Sequence, residues 1–463
     1  MTIRLYDTSA RRIRDFVPLT PGCVSIYLCG ATVQAAPHIG HIRSGLNFDI
    51  LRRWLAYRGN EVTLIHNVTD IDDKIIIKSA AQERPWWAIG YENERAFADS
   101  YAVLGCLPPS NAPRATAHVP EMVEMMRVLI ERGHAYVAEG NVYFDVRSFP
   151  GYLELSNQEM DNLRQPGSDG EAGKRNSRDF AMWKAVKPGE PSWETPWGRG
   201  RPGWHLECSV MAHKYLGRAF DIHGGGIELV FPHHENEIAQ SKAYGDDFAN
   251  YWVHHGWVTM SGEKMSKSIG NSVLVSEMVQ RWRPIVLRYY LGTPHYRSMI
   301  EYSGQALGEA EAAFSRIEGF LQRAVEKAGP VEPAAEVPPA FAEAMDDDLG
   351  VPQALAVVHT AVRQGNSALT AGDKEAAAAR ASEVRAMLGV LGLDPLDPRW
   401  ALEDRGGDVY PVVDSLVGLA LEQRQAARAR KDYATADAIR DQLLQAGLEI
   451  EDTPTGSRWT RRG

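Results

Sequence analysis

The amino-acid sequence predicts an α/β protein, built as a doubly wound parallel-sheet domain with an insertion and followed by a mainly α-helical C-terminal half. Three observations predict it. The apolar stretch "VSIYLCG", the amphipathic "HIRSGLNFDILRRWLAYRG" and the apolar "EVTLIHNVTD" follow one another directly, and strand, helix, strand with a crossover between is the pattern of parallel pairing. Between about Pro113 and Pro202 that rhythm is broken by Gly- and Pro-punctuated sequence. From about Glu301 the composition turns to Ala, Leu, Glu and Arg at helical spacing.

Within the first unit, Leu46, Ile50 and Trp54 recur at four-residue spacing on one helix face, and Gly59 marks its end. In open parallel sheets ligands collect beyond the carboxyl ends of the strands, where Cys29 and Thr69 fall. The insertion reads as a helix around "EMVEMMRVLIERGHAY", a hairpin at "GNVYFDV", and loops through "RQPGSDGEAGKRNSRDF" and "KPGEPSWETPWGRGRPG". "AFDIHGGG" and "YWVHHGWVTM" then restore strands, so the first sheet resumes and its domain is split in sequence. "GPVEPAAEVPPAF" and "LGLDPLDPRW" divide the helical half in two. The expected organisation is 1–112 and 203–256 for the two halves of the sheet domain, 113–202 for the insertion, 257–310 for a loop and stem region, 311–400 for a helical bundle and 401–463 for a C-terminal region.

Bulk properties narrow the function. A chain of 463 residues exceeds a single core, and a 44% hydrophobic, 24% charged composition is that of a water-soluble globular protein. The start "MTIRLYDTSARRIRDF" has no apolar core of a secretory signal, and no apolar run is long enough to span a bilayer. Four scattered cysteines, Cys23, Cys29, Cys106 and Cys208, make no disulfide framework. Reduced thiols and a cytoplasmic setting are expected, and a reduced thiol can ligate metal. The net charge of −10 argues against a surface that coats nucleic acid broadly, so any such contact is local. "EQRQAARARKDYATADAIR" is a candidate for it, although on charge alone its arginines read as the solvated face of a helix. No solenoid-type repeat is present.

Two motifs point to nucleotide chemistry. In "PHIGH", His38 and His41 lie three apart at a helix start, with Gly40 leaving room for a flat base or a phosphate and the helix N-terminus adding a positive field. In "GEKMSKSIGN", Lys264 and Lys267 sit in a Gly- and Ser-rich loop suited to folding over a departing pyrophosphate. Each alone is an ordinary surface feature. Together, flanking a doubly wound unit, they resemble the class I aminoacyl-tRNA synthetases, which implies a Rossmann-like catalytic domain using ATP with Mg²⁺.

A third constellation concerns metal. "GWHLECSVMAHKYLGRAFDIHGGGIELVFPHHENEIAQS" supplies Cys208, then His233 and Glu237 four apart on what reads as one helix face, which with Cys29 would make a four-coordinate zinc site. Two thiolates and an imidazole favour zinc over magnesium or calcium. The other reading makes Cys29 and Cys208 buried small hydrophobes and His233 a helix cap.

Taken in order, "YLCG", "HIGH", "NVTDIDDKI", "GWHLECS", "DIHGGG", "FPHHENEIAQS", "EKMSKSIGN" and the closing "EDTPTGSRW" resemble the cysteinyl-tRNA synthetases over essentially the whole chain. The resemblance implies one zinc held by Cys29, Cys208, His233 and Glu237, substrate-cysteine contacts at Thr69, Trp204 and His223, and ATP held by His38, Gly40, His41, Lys264 and Lys267. It implies L-cysteine, ATP and tRNA(Cys) as partners, a monomer, and a tRNA-binding tail in which Arg424, Arg428, Arg430 and Lys431 face phosphate or anticodon. Two departures stand out. "QAAP", Gln34 to Pro37, replaces the family's usual Tyr-Asp pair, and Glu228 stands where an Asp usually follows the glycine triplet. The rival readings are a cysteine ligase that joins cysteine to an amino sugar through the same adenylate, an inactive RNA-binding paralogue, and a zinc hydrolase.

Overall fold

Four parallel strands organise the N-terminal part of the chain. The computed structural model describes residues 2–159, 173–260, 262–265, 272–401, 409–446, 448–453 and 456–461. β1 (Cys23–Leu28) leads through α1 (Ile39–Tyr57) to β2 (Glu61–His66), which lies parallel beside it with Ile26 opposite Leu64. Ile26, Tyr27 and Leu28 are fully buried, as expected of a strand covered on both faces. The buried stripe of α1 includes Leu46, Ile50 and Trp54, the spacing read from the sequence.

The chain then runs through α2 (Asp73–Gln82), α3 (Trp86–Val103) and α4 (Val119–Glu131) into an antiparallel sheet of β3 (Ala135–Ala138), β4 (Asn141–Phe144), β5 (Phe180–Ala185) and β6 (Gly200–Pro202). α5 (Trp204–Leu216) carries it back to β7 (Ala219–Gly226), which pairs with β1 on the side away from β2. α6 (Glu235–Tyr244) and β8 (Phe248–His255) complete the sheet in the order β8-β7-β1-β2. The strand order reverses between β1 and β7, the place where open α/β sheets bind ligands.

"YWVHHGWVTM", expected as one strand of that sheet, is two. β8 ends at His255, and β9 (Val258–Met260) joins a different sheet with β10 (Glu263–Lys264) and, after α7 (Pro284–Gly292), β11 (Ile300–Glu301). Gly256 makes the break: its N–H donates to Tyr296 O at 2.8 Å, and a Cβ there would sit 2.6 Å from Ser298 O.

Helices follow: α8 (Gly304–Ala328), α9 (Pro339–Asp346), α10 (Val351–Ala371) and α11 (Lys374–Leu391). Ser303 caps α8 by accepting from the Ala306 N–H at 3.1 Å. Leu307, Phe314, Ile317, Phe320, Leu321 and Ala324 form its buried stripe. A buried ion pair ties the helices to the sheet domain: Arg288 Nη2 of α7 lies 2.5 Å from Asp49 Oδ2 of α1 and donates to Leu391 O of α11 at 2.8 Å. Burial of this charge is tolerable because it is paired and saturated with acceptors.

The chain divides into two compact units, Met1–Pro395 and Leu396–Gly463. The second holds α12 (Val409–Ala429), α13 (Tyr433–Gln445) and the hairpin β12 (Leu448–Thr453) with β13 (Gly456–Arg461). A mainly helical half omitted that hairpin, whose alternating "LEIEDT" and "GSRWTR" flank a short turn sequence. Among the described residues no helix is long and apolar enough to cross a membrane.

Candidate active site

Four donors from three distant stretches of chain meet at the sheet's switch point. Cys29 is the first residue after β1, and its N–H donates to Gly224 O of β7 at 3.0 Å, which fixes it between the two strands. The next residue must be glycine, because a Cβ at position 30 would lie 1.8 Å from Asn67 O. Cys208 sits in the second turn of α5. His233 belongs to a wide turn, Val230–His234, that precedes α6, and Glu237 is in the first turn of α6. His233 therefore lies just before the regular helix instead of on its face, yet its Nε2 reaches Glu237 Oε1 at 3.0 Å. Cys29 Sγ is 3.7 Å from Cys208 Sγ and 3.4 Å from Glu237 Oε1. All four donor atoms lie within 4.8 Å of one another, and the residues are 6%, 1%, 1% and 0% exposed in chain order.

The electrostatics of the cluster call for a cation. Burial pushes the Cys29 thiol well up, as do Cys208 and Glu237 beside it, and burial raises Cys208 too. Burial also pushes the His233 imidazole well down. Thiols and a carboxylate at this distance in a dry site repel as anions, and a dication reverses that balance. Two sulfurs, one nitrogen and one oxygen are the number and softness that suit zinc.

Neighbouring groups aim the donors. His233 Nδ1 shares a proton with His205 Nδ1 at 2.9 Å, and its ring stacks on Trp204 at 4.1 Å, leaving Nε2 for the centre. His223 Nε2 engages Glu237 Oε2 at 2.8 Å, so Oε1 points inward. His223 stacks on Trp252 at 4.5 Å. Behind them His234 Nδ1 contacts His254 Nε2 at 2.8 Å, and His254 Nδ1 contacts Thr8 Oγ1 at 2.7 Å. A second donor set, Cys29, His223, His234 and Glu237, overlaps the first. Only the first contains both thiols. His205 and His234 were missed in the sequence because each stands next to a residue already assigned, and adjacency hides which neighbour turns inward; His254, between Val253 and His255, has no assigned neighbour and joins only through the fold.

Of the three substrate contacts the resemblance implied, Trp204 and His223 join the cluster through these stacking and hydrogen-bond contacts. Thr69 is fully buried, and its Oγ1 accepts from Asn67 Nδ2 at 3.3 Å. Trp204, His205 and Glu207 form one wall of a ≈ 430 Å³ cavity that continues under the insertion to Lys184 and Arg201.

His38 and His41 open α1. Their rings stack with centroids 3.6 Å apart, and the His38 N–H donates to His41 Nδ1 at 3.4 Å. A Cβ at Gly40 would meet His38 Nδ1 at 3.0 Å, so what Gly40 admits is the His38 ring folded over the helix start. One turn on, the fully buried Arg43 donates to Gly256 O at 2.7 Å, Trp257 O at 3.1 Å and His295 O at 3.2 Å. It locks the helix that carries the histidines to the strand leading into "GEKMSKSIGN". The Lys264 backbone ends β10 opposite Thr259. Its side chain and all of Lys267 lie outside the described residues. Of the two departures, Gln34 accepts from Lys78 Nζ through its backbone carbonyl at 3.0 Å, and Glu228 Oε2 accepts from Trp257 Nε1 at 2.7 Å. In the second unit Arg424 is buried at 8% exposed, while Arg428, Arg430 and Lys431 are exposed.

Comparison with known proteins agrees with this geometry. Residues 15–312 match the class I (C) tRNA synthetase catalytic domain, 340–395 the DALR domain and 420–459 the cysteinyl-tRNA ligase anticodon-binding domain. The cysteine–tRNA ligase of Streptomyces avermitilis is 80% identical over 462 residues, covering 99% of both chains. The chain belongs to the cysteinyl-tRNA synthetases. The Streptomyces coelicolor cysteine–tRNA ligase is 78% identical over 99% of this synthetase and 75% of its own length. Among solved structures, Mycobacterium tuberculosis methionyl-tRNA synthetase aligns at a TM-score of 0.59 and 15% identity, over 81% of this chain and 92% of its own. The Agrobacterium radiobacter leucyl-tRNA synthetase aligns at 0.60 and 12%, over 84% and 86%. At such identity the two share the class I fold with this synthetase.

Proposed function

We propose that this synthetase activates L-cysteine with ATP and transfers it to tRNA(Cys), choosing the amino acid by its thiol. The observation that carries the reading is the convergence of Cys29, Cys208 and the His233–Glu237 pair from three distant segments into one buried donor set. Zinc held there would supply a sulfur-seeking Lewis acid, a contact that serine's harder hydroxyl matches poorly, where an apolar pocket rejects an isostere only about 10²-fold.

The protein's own groups do the rest. The carboxylate of cysteine attacks the α-phosphorus of ATP in line, forming the adenylate and releasing pyrophosphate. His38 and His41, at the positive end of α1, stabilise the charge that gathers on the α-phosphate. Lys264 and Lys267 stabilise the departing pyrophosphate, and Mg²⁺ accompanying ATP would supply further positive charge to it. Thr69, Trp204 and His223 wall the amino-acid pocket. The 2′-hydroxyl of the terminal adenosine of tRNA then displaces AMP from the cysteinyl carbonyl.

The deciding experiment pairs cysteine-dependent exchange of pyrophosphate into ATP with charging of a tRNA transcript bearing a GCA anticodon, set beside an amino-sugar acceptor. Cysteine on the tRNA is the expected result, and cysteine on the sugar alone would overturn it. The match of 420–459 to an anticodon-binding domain supports the tRNA acceptor. Lys267→Ala should slow adenylate formation far more than it weakens cysteine binding.

A further inference from the structure

A buried carboxyl stands beside the donor cluster. On α5, Trp204, Glu207 and Cys208 follow one another at the three- and four-residue spacings that put them on one helix face, so Glu207 flanks the sulfur of Cys208. It is 1% exposed, and its Oε2 has no hydrogen-bond partner among the described residues. With Trp204 it lines the ≈ 430 Å³ cavity. A carboxyl oxygen buried without a partner is costly, and a ligand that bonds to it removes the cost.

Its surroundings set the charge of that ligand. Burial, and then the nearby Asp70 and Asp72, push the Glu207 carboxyl well above its ordinary range. Both aspartates are engaged elsewhere. Asp70 accepts from the Thr116 N–H at 3.0 Å and from the Thr116 hydroxyl at 2.5 Å, and Asp72 caps α2 by accepting from the Lys74 N–H at 2.9 Å. The cavity's Lys184 and Arg201 are committed to Asp73, and Arg201 also to Glu190. That environment selects a cation. A metal ion does not suit it, because among the described residues no donor set close enough to hold one includes Glu207. An ammonium group does, since it is compact and brings its own hydrogen-bond donors.

We propose that Glu207 receives the α-ammonium group of the substrate cysteine; the proposal rests on the reading that zinc in the donor set takes the substrate's sulfur. The nitrogen of cysteine is three bonds from its sulfur and so within about 4 Å of it. A sulfur held beside Cys208 therefore brings the ammonium group to the side chain one residue earlier on the same helix face. Two fixed points orient the amino acid and leave its carboxylate as the end free to meet ATP. Selection is then divided: the metal reads the sulfur, and Glu207 rejects thiols that lack the amine.

The test is calorimetric binding of cysteamine and of 2-mercaptoethanol to the zinc-loaded full-length enzyme without ATP. The two compounds present the same thiol and differ in carrying an ammonium group or a hydroxyl. The parent binds cysteamine about 10- to 100-fold more tightly, the worth of one charge-assisted hydrogen bond. Glu207→Gln, which keeps the shape of the side chain, loses that preference while retaining the zinc content and the 2-mercaptoethanol affinity of the parent. Its KM for cysteine rises by a similar factor, and Glu207→Asp recovers part of the preference. A purely structural role would weaken both thiols alike. A Glu207→Gln variant that still prefers cysteamine would overturn the proposal. So would a parent that binds the two thiols equally, and that measurement does not depend on any variant folding. If neither thiol binds the zinc-loaded parent, the reading that zinc takes the substrate's sulfur fails and the proposal falls with it, so the two failures are distinguishable.

Discussion

The donor cluster of the first unit and the basic stretch of the second are built in opposite ways. Cys29, Cys208, His233 and Glu237 come from a strand end, two helices and a wide turn, are at most 6% exposed, and each has neighbours that fix its direction. Arg428, Arg430 and Lys431 follow one another at the end of a single helix, exposed and without a shared focus. The difference teaches that where side chains converge in a dry site one atom is irreplaceable, and where charges line a wet surface each is one contribution among several. The size of a mutational effect should therefore follow burial and convergence, and the following measurements test that ordering.

The largest effect is expected at the centre. Cys208→Ser removes a sulfur from the cluster while keeping the shape of the side chain. Loss of a mere outer partner lowers metal affinity about 10–100-fold, so the change should exceed that, with zinc content falling and the KM for cysteine rising steeply. Full zinc occupancy and unchanged selection against serine would remove Cys208 from the ligand set and with it the contrast.

Arg43 comes next, since it is buried and donates to backbone carbonyls of a distant segment. Burial lowers its guanidinium to about 10, so it remains a cation at neutral pH. Arg43→Met should misplace α1 against the strand that leads to the lysine loop. A displacement of about 1 Å in a reacting constellation costs up to about 10²-fold, so kcat for adenylate formation should fall strongly while zinc content and the KM for cysteine change little. Arg43→Lys, which retains one donor of the fork, should recover part of the rate. Loss of zinc with the rate would show instead that the two halves of the site stand or fall together.

These two residues also mark how much was legible. The signature histidines, the donor residues and the strand–helix–strand start could be read from "HIGH", "YLCG" and "FPHHENEIAQS" because residue type and spacing carry their chemistry. Arg43 could not: a lone arginine on a helix reads as a solvated charge, and only the return of Gly256, Trp257 and His295 to that helix shows that its guanidinium is enclosed. The split of "YWVHHGWVTM" was hidden for the same reason, because Gly256 breaks the strand through a distant partner, Tyr296.

A smaller effect is expected in the histidines behind the centre. Burial pushes His254 down to about 3 and His234 well below its ordinary value. Both are neutral in the folded state and protonate near pH 6.5 once unfolded, so the unfolded chain binds more protons below that pH. Their contribution to stability is complete above about pH 6.5 and is lost progressively as the pH falls towards the folded values, at about 1.4 kcal/mol per pH unit for each group. Unfolding at pH 5 should therefore take up protons, and His254→Asn should take up about one fewer. An uptake unchanged by the substitution would show that this histidine is charged in the folded protein.

The smallest effect belongs to the exposed tail. Neutralising Arg430 to Ser should leave pyrophosphate exchange untouched and raise the KM for tRNA(Cys) only about two- to fivefold at moderate salt, since a single exposed charge contributes about 1 kcal/mol or less. Adding Arg428→Ser should multiply the two effects, because independent surface contributions add in free energy. Arg424, at 8% exposed, differs from both: replacing it removes packing as well as charge, so its variant should lower the thermal stability of the second unit. A collapse of tRNA charging from Arg430→Ser alone would mean that this segment, too, brings its charges to one focus, and the contrast between a convergent centre and an additive surface would no longer hold.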